Sequence, residues 1–297
     1  MRNTHFPGRS NVLSSQGMAA TSQPLSSLEA ISILKKGGNA IDAAIAASAV
    51  QSVIEPGSTG LGGDCFALIS VNGKNPISVN GSGIAPAKAK LDYFEEKNIT
   101  KIDITSPYSV TVPGSVHAWF SMHERYGKLD FEQLFITAEN YARNGYPVHE
   151  VSAKSWEKNF NKICMFQTTK EIFSRNNKPL GFGQIHKNIK LADTLNTIAK
   201  NNIKDFYNGY IAKDIVKTLN LLGGYHTEED FAQQTTLFSN SISNSYKKNI
   251  IHQCPPNGPG ITVLIMMAIL EKFNFSKFDL DRWIVNRKIK SWKNNPS

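Results

Sequence analysis

Apolar positions recur at helical spacing over most of this chain, and at strand spacing in only two regions. The first helix is expected at Ser27 to Lys36. Ser26 and Glu29 have capping-box spacing, two lysines occupy the last turn, and Gly37-Gly38 supplies the stop. Asn39 is placed to cap a second helix, Ala40 to Ile54. Its alanines at 40, 43, 44, 46, 47 and 49 make it slim enough for another backbone to approach, a pattern that belongs in a core.

Glu55 to Asp64 follows, with glycines at 57, 60, 62 and 63. A phosphate cradle needs Lys after its last glycine and must open a helix, whereas here Gly63 stands in that place and the loop runs into a strand. A dinucleotide fingerprint would need glycine where Cys65 stands. Close packing of backbone against a neighbouring element is the better physical account of these glycines. Cys65 to Val71 then reads as an apolar strand, Asn72-Gly73 as a hairpin turn, and Ile77 to Asn80 as the return strand. Gly81-Ser82-Gly83 turns the chain again.

Val112-Pro113-Gly114 precedes an expected helix over Ser115 to Tyr126, and Asp130 with Gln133 has the spacing to cap the next, which Asn144-Gly145 ends. Residues 151–187 carry mixed signals. Helical patterns resume at Leu191 to Asn201, Ile211 to Leu222 with Gly223-Gly224 as stop, and Glu228 to Gln233 behind Thr227. Lys248 to Gln253 reads as a strand and Ile261 to Phe273 as an apolar helix. The outline is mixed α and β, helix-rich, with strands near 65–80 and 245–253.

At 297 residues and 40% hydrophobic content the chain can bury a sizeable core. No apolar run approaches the roughly 18 residues of a membrane span, and Met1 to Gln16 has no signal-peptide core, so no membrane partner and a cytoplasmic location are expected. The cysteines Cys65, Cys164 and Cys254 are far apart and have no metal-ligand spacing. Neither a disulfide framework, a metal site nor a cofactor is expected. The net charge of +9 includes Arg282, Arg287, Lys288, Lys290 and Lys293 at the end of the chain, and without them 9 − 5 = +4 remains. Trp283 and Trp292 interleave with these cations, as an arm for nucleic acid or a membrane would require. A shifted-frame remnant accounts better for the abrupt change in composition, and no nucleic-acid partner is expected.

His117 and His123, six apart, fall on different helix faces and suit surface or hydrogen-bonded roles. No G-x-S-x-G elbow occurs, so Ser58, Ser82 and Ser115 read as turn or capping serines, and Glu228-Glu229-Asp230 as acids favouring a helix start.

Several motifs occur together in order. They include Gly17-Met18-Ala19-Ala20-Thr21-Ser22-Gln23-Pro24-Leu25, Lys35-Lys36-Gly37-Gly38-Asn39-Ala40-Ile41-Asp42-Ala43-Ala44, Glu55-Pro56 to Gly63, and Val112-Pro113-Gly114-Ser115-Val116. Tyr126-Gly127-Lys128-Leu129, Ala142-Arg143-Asn144-Gly145-Tyr146-Pro147-Val148, Asp205-Phe206-Tyr207-Asn208-Gly209 and Cys254-Pro255-Pro256-Asn257-Gly258 complete the series. Over about residues 8–275 this resembles the large, N-terminal subunit of the gamma-glutamyltransferase (gamma-glutamyltranspeptidase) family. The resemblance implies an α+β N-terminal-nucleophile hydrolase, an αββα sandwich of which this would be the incomplete, large-subunit part. In that family a threonine newly exposed at the start of the small subunit attacks a gamma-glutamyl amide, and the acyl group passes to water or to an amino acid.

Two departures from the family pattern bear on function. In glutathione-cleaving members an arginine shortly before an Ala-Pro pair holds the substrate carboxylate. Here that register is Asn80-Gly81-Ser82-Gly83-Ile84-Ala85-Pro86, and Ser82 takes the arginine position. An unknown amide or gamma-glutamyl compound is therefore expected ahead of glutathione. Asp64 ends the glycine loop where many relatives have glycine, and it either faces the substrate or bonds neighbouring N–H groups. The second departure is that Phe278 to Ser297 does not continue the family pattern, as expected of a truncated or frameshifted gene.

The organisation implied is an N-terminal extension, 1–16, a large-subunit region, 17–277, and an atypical basic tail, 278–297. No catalytic residue is assigned to this chain, and Ser82 and Asp64 are the candidate substrate-binding residues. The expected partners are a small-molecule gamma-glutamyl or related amide and a small subunit carrying the threonine, without which the chain is expected to be inactive. Alternatives are a non-catalytic assembly subunit and a non-functional fragment.

Overall fold

The computed structural model describes residues 12–201 and 203–274, so the basic tail at 278–297 and most of the extension at 1–16 lie outside the described residues. In chain order the elements are α1 (Pro24–Lys35), α2 (Ala40–Ile54), β1 (Cys65–Ile69), β2 (Ile77–Gly81), α3 (Leu91–Glu96), α4 (Ser115–Tyr126) and α5 (Ile136–Asn144). Next come β3 (Tyr146–Pro147), α6 (Glu150–Lys158), α7 (Phe160–Ile163), α8 (Gln167–Phe173), β4 (Ser174–Arg175), β5 (Lys178–Pro179), β6 (Ile185–His186) and α9 (Ile189–Asn201). The run closes with α10 (Lys204–Tyr207), α11 (Tyr210–Leu221), α12 (Glu228–Ala232), β7 (Leu237–Asn240), β8 (Ile242–Tyr246), β9 (Asn249–Gln253) and α13 (Gly260–Leu270). Among the described residues they form two compact units, one of residues 12–65 and 81–237, the other of 66–80 and 238–274.

The first unit is built around α2, which packs against α1, α4 and α5. Its buried face carries Ile45, Val50, Val53 and Ile54 with small residues between them. Each such aliphatic side chain contributes about 1.5–3 kcal/mol by leaving water. The alanines let α1 close in far enough for the Ser26 hydroxyl to donate to the Ala47 carbonyl at 2.7 Å. That bond corrects the first cap, because Ser26 is fully buried inside α1 and the helix instead starts at Pro24, with the Gln23 side chain accepting the Leu25 N–H. Proline at the first position costs no backbone bond, so the start moves forward to it. Asn39 does cap α2, in a reciprocal box with Asp42.

Asp130 is also not the cap expected of it. Residues Phe131–Leu134 form a 3-10 turn, and α5 begins only at Ile136, leaving Asp130 bonded to the Gln133 side chain at 3.1 Å. Phe131, Leu134 and Phe135 are buried, which favours the tighter turn over an uninterrupted α-helix. Thr227 and Asp230 form a capping box at α12, and Gly145 and Gly223 adopt positive φ at helix ends, as expected from their positions.

The second unit holds a three-stranded sheet in the order β1-β2-β7 and an antiparallel hairpin of β8 and β9, in which Tyr246 pairs with Asn249. Strands β7 and β8 were not foreseen, since Leu237–Tyr246 is polar and serine-rich apart from isolated apolar positions. Asn72 and Gly73 take positive φ in a turn closed by the Lys74 N–H donating to Val71 at 3.1 Å, within a loop longer than the tight hairpin expected. Helix α13 is apolar along its length, yet of its residues only Gly260 and Leu264 are buried.

Candidate functional site

Three segments of the first unit meet at the start of α4. The Gly63 carbonyl accepts the N–H groups of Gly114 and Ser115 at 2.9 and 3.0 Å, and the Ser115 hydroxyl donates to the Leu61 carbonyl at 3.0 Å. The glycine loop is thus fastened to the first turn of α4, whose free N–H groups need such acceptors. From the other side, Gly81 and Gly83 lie against the Val112–Gly114 turn so closely that a Cβ on Gly83 would strike the Val112 carbonyl, and one on Gly114 the Gly81 carbonyl. Gly83 also has φ +80°. No residue with a Cβ fits at Gly81, Gly83 or Gly114 without moving this crossing.

Within the 57–63 loop, the expected close packing holds at Gly63, whose carbonyl is bonded to the start of α4 and where a Cβ would come within 3.3 Å of the Gly60 carbonyl, but not at Gly57, Gly60 or Gly62. A Cβ at Gly60 or Gly62 would meet nothing within 4 Å, and one at Gly57 would come no nearer than 3.9 Å to Ser155. None of the loop glycines has positive φ. Gly62 is exposed and lines an open groove of about 610 Å³ with Leu61, Phe206, Tyr210 and Lys213. Nothing within the described residues requires glycine at 60 or 62.

Ser82 is half-buried between Gly81 and Gly83, and Asp64 is exposed immediately after Gly63. Their segments are both anchored on Gly114, so the two candidate residues sit on neighbouring backbones at one junction. Ser82 carries no charge with which to hold a carboxylate. Ser115, by contrast, has a structural bond, because its hydroxyl proton is directed at carbonyl oxygens rather than at a base.

Sequence reasoning missed the groups that brace this junction. The Tyr207 hydroxyl donates to the Pro113 carbonyl at 2.8 Å and accepts the His117 N–H at 3.0 Å. Burial raises that phenol above its ordinary pKa, so it remains protonated. On α12, Asp230 accepts the Ala87 N–H at 2.8 Å, and just beyond the helix the Gln234 side chain accepts the Ile84 N–H at 3.0 Å. Burial acts to raise the Asp230 carboxyl, but bonds from Ala87 and Thr227 outweigh it and hold the group below its ordinary value. The only signals for these roles were the Asp205–Gly209 motif and the acidic cluster at 228–230.

His117 and His123 are both hydrogen-bonded within the first unit. His117 Nδ1 lies 2.8 Å from the Thr236 hydroxyl, and burial lowers its pKa. His123 Nε2 lies 2.7 Å from the Leu129 carbonyl. Among the described residues no three His, Cys, Asp or Glu side chains gather as a metal site, and no helix is long and apolar enough to cross a membrane.

Comparison with known proteins places this geometry in a family. The chain is 34% identical over 271 residues to a glutathione hydrolase-like proenzyme, YwrD, of Bacillus subtilis, covering 91% of this chain and 51% of that protein. A cephalosporin acylase from Bacillus halodurans superposes with TM-score 0.86 at 35% identity, over 92% of this chain and 52% of that one. The gamma-glutamyltranspeptidase of Helicobacter pylori superposes with TM-score 0.83 at 28% identity, over 90% and 78% of the two chains. This chain therefore spans about half the length of the curated relative it matches. Its fold is the α+β N-terminal-nucleophile hydrolase class expected from the motifs. The gamma-glutamyltranspeptidase family pattern matches residues 26–292, extending past 277 into the segment that the motifs alone did not join to it, and the chain belongs to that family.

Proposed function

We propose that residues 17–277 are the large-subunit region of an enzyme that hydrolyses or transfers the acyl group of a gamma-glutamyl or related amide. The nucleophilic threonine is supplied by polypeptide outside these residues. In this reading the chain contributes a wall of the substrate cleft through the Ser82 segment and the glycine loop ending at Asp64. The observation that carries it is the crossing of Gly81 and Gly83 with Gly114, which fixes Ser82 beside the anchored glycine loop. Since serine offers neither the charge nor the fork of an arginine, the substrate need not be glutathione. Likeness to proteins named as a glutathione hydrolase and as a cephalosporin acylase supports a scaffold shared by more than one amide substrate.

The test is turnover of a gamma-glutamyl anilide and of other acyl anilides by the 297-residue chain, alone and combined with a threonine-bearing small subunit. Turnover is expected only in the combination, and Ser82→Arg should shift preference toward the gamma-glutamyl compound. Turnover by the lone chain would overturn the placement of the nucleophile, and an inert combination would overturn the enzymatic reading.

A further inference from the structure

The segment after Ser82 is fixed by side chains from a distant part of the sequence. Asp230 and Gln234 are each only 4% exposed. Gln234 Oε1 accepts the Ile84 N–H at 3.0 Å and Asp230 Oδ1 accepts the Ala87 N–H at 2.8 Å. The other carboxylate oxygen, Oδ2, accepts the Thr227 N–H and hydroxyl at 2.8 and 2.7 Å. Gln234 is itself oriented by its Nε2, which donates to the Thr235 carbonyl at 2.8 Å. On the opposite edge, the Ile84 carbonyl accepts the Val112 N–H at 3.0 Å. Ile84 is thus held through both its backbone groups, two residues from Ser82.

We propose that Asp230 and Gln234 are positioning residues for substrate, setting where the Ser82 backbone lies in the cleft. This rests on the assignment of the Ser82 segment to that cleft. These side chains act as acceptors in fixed orientations, and either loss leaves a backbone N–H without its partner. The resulting displacement falls on the segment that would meet the substrate. It does not fall on the nucleophile, so the expected signature is weaker substrate binding with the chemical step preserved.

Hydrogen exchange on the full chain comes first. The Ile84 and Ala87 amides should be protected in the wild type, and free-peptide exchange rates there would overturn the inference. Gln234→Met keeps the side-chain length and removes the acceptor, so exchange over 82–87 should rise about tenfold while α2 stays protected. No rise would count against the proposal. In the combination with a small subunit, Gln234→Met should raise KM about tenfold with kcat within about twofold. Glu229→Ala, on the exposed side of α12, removes only the side-chain bond from Gln233 at 2.8 Å and should leave KM unchanged. A KM unmoved by Gln234→Met, or moved equally by Glu229→Ala, would overturn the positioning role. If the wild-type combination is inert, the proposed function falls, and the exchange results alone decide whether the segment is held as described.

Discussion

The fully buried carboxylate of Asp42 accepts the backbone N–H of Lys128, at 3.0 Å through Oδ1 and 3.2 Å through Oδ2. Its Oδ2 also accepts the N–H groups of Leu129 and Asn39, at 3.2 and 3.0 Å. One side chain therefore caps α2 and ties down the turn after α4. Asp42→Ala would leave these partly buried donors without their acceptor and should cost about 2 kcal/mol or more. Asp42→Asn should recover little, because an amide directs its NH2 at one set of donors whichever way it is turned. Chemical denaturation of the two variants measures both effects.

Glycine substitutions should divide sharply. Gly114→Ala forces a Cβ into the Gly81 carbonyl and the Gly83 nitrogen, backbone atoms that cannot yield cheaply, and should cost about 3 kcal/mol. Gly60→Ala and Gly62→Ala meet open space and should alter stability by less than about 0.5 kcal/mol. Thermal melts of the three variants would show whether Gly60 and Gly62 are free of packing demands. A large loss at Gly62 would contradict that.

His186 supplies an acid-sensitive contribution. Its ring is 2% exposed, stacked on Phe173 with centroids 5.2 Å apart and bordered by Trp156 and Tyr146. Neither ring nitrogen completes a hydrogen bond, although the nearby Ile172 backbone opposes the shift weakly. Burial pushes its pKa down to about 4. Between that value and about 6.5 the unfolded chain binds the proton and the folded chain does not. Stability contributed by the neutral ring is therefore full above about pH 6.5 and is lost as pH falls toward 4, by roughly 3 kcal/mol. His186→Phe should be at least as stable as wild type at pH 7. It should also lose this part of the acid dependence, read from melting temperature against pH for both proteins.

In the second unit, α13 leaves Ile261, Ile265, Met266 and Ile269 each about half exposed. An apolar face of this kind favours association. Replacing Ile265 and Ile269 by lysine should reduce self-association of the chain, measured by sedimentation, without lowering the melting temperature of the first unit. Unchanged sedimentation would show that this face does not drive assembly.

What could be read from sequence depended on whether a feature was local. Asn39, Thr227 and Gly145 announce helix ends through chemistry contained within a few residues. The same rule failed at Ser26, whose oxygen serves α2, and at Asp130, where buried Phe131 and Leu134 tightened the turn. At the candidate site, Ser82 and the glycine loop were visible as motifs. The Gly83–Val112 crossing and the Gln234–Ile84 bond join residues 29 and 150 positions apart, and no spacing rule spans such distances. Of the loop glycines only Gly63 makes the close backbone approach expected of them, and the tightest crossing belongs to Gly81, Gly83 and Gly114.

The tie between Ile84 and Val112 also makes the intervening stretch a cassette. The chain leaves this point and returns to it, having formed α3 and placed Tyr93 and Phe94 against Tyr108 and Tyr225. Because its two ends are already joined, doubling the length of its exposed part would add only about 0.6 kcal/mol of closure entropy. Residues 100–102, exposed between the end of α3 and the Asp103–Thr105 turn, are therefore a permissive place to graft a tag, a probe or a new binding segment.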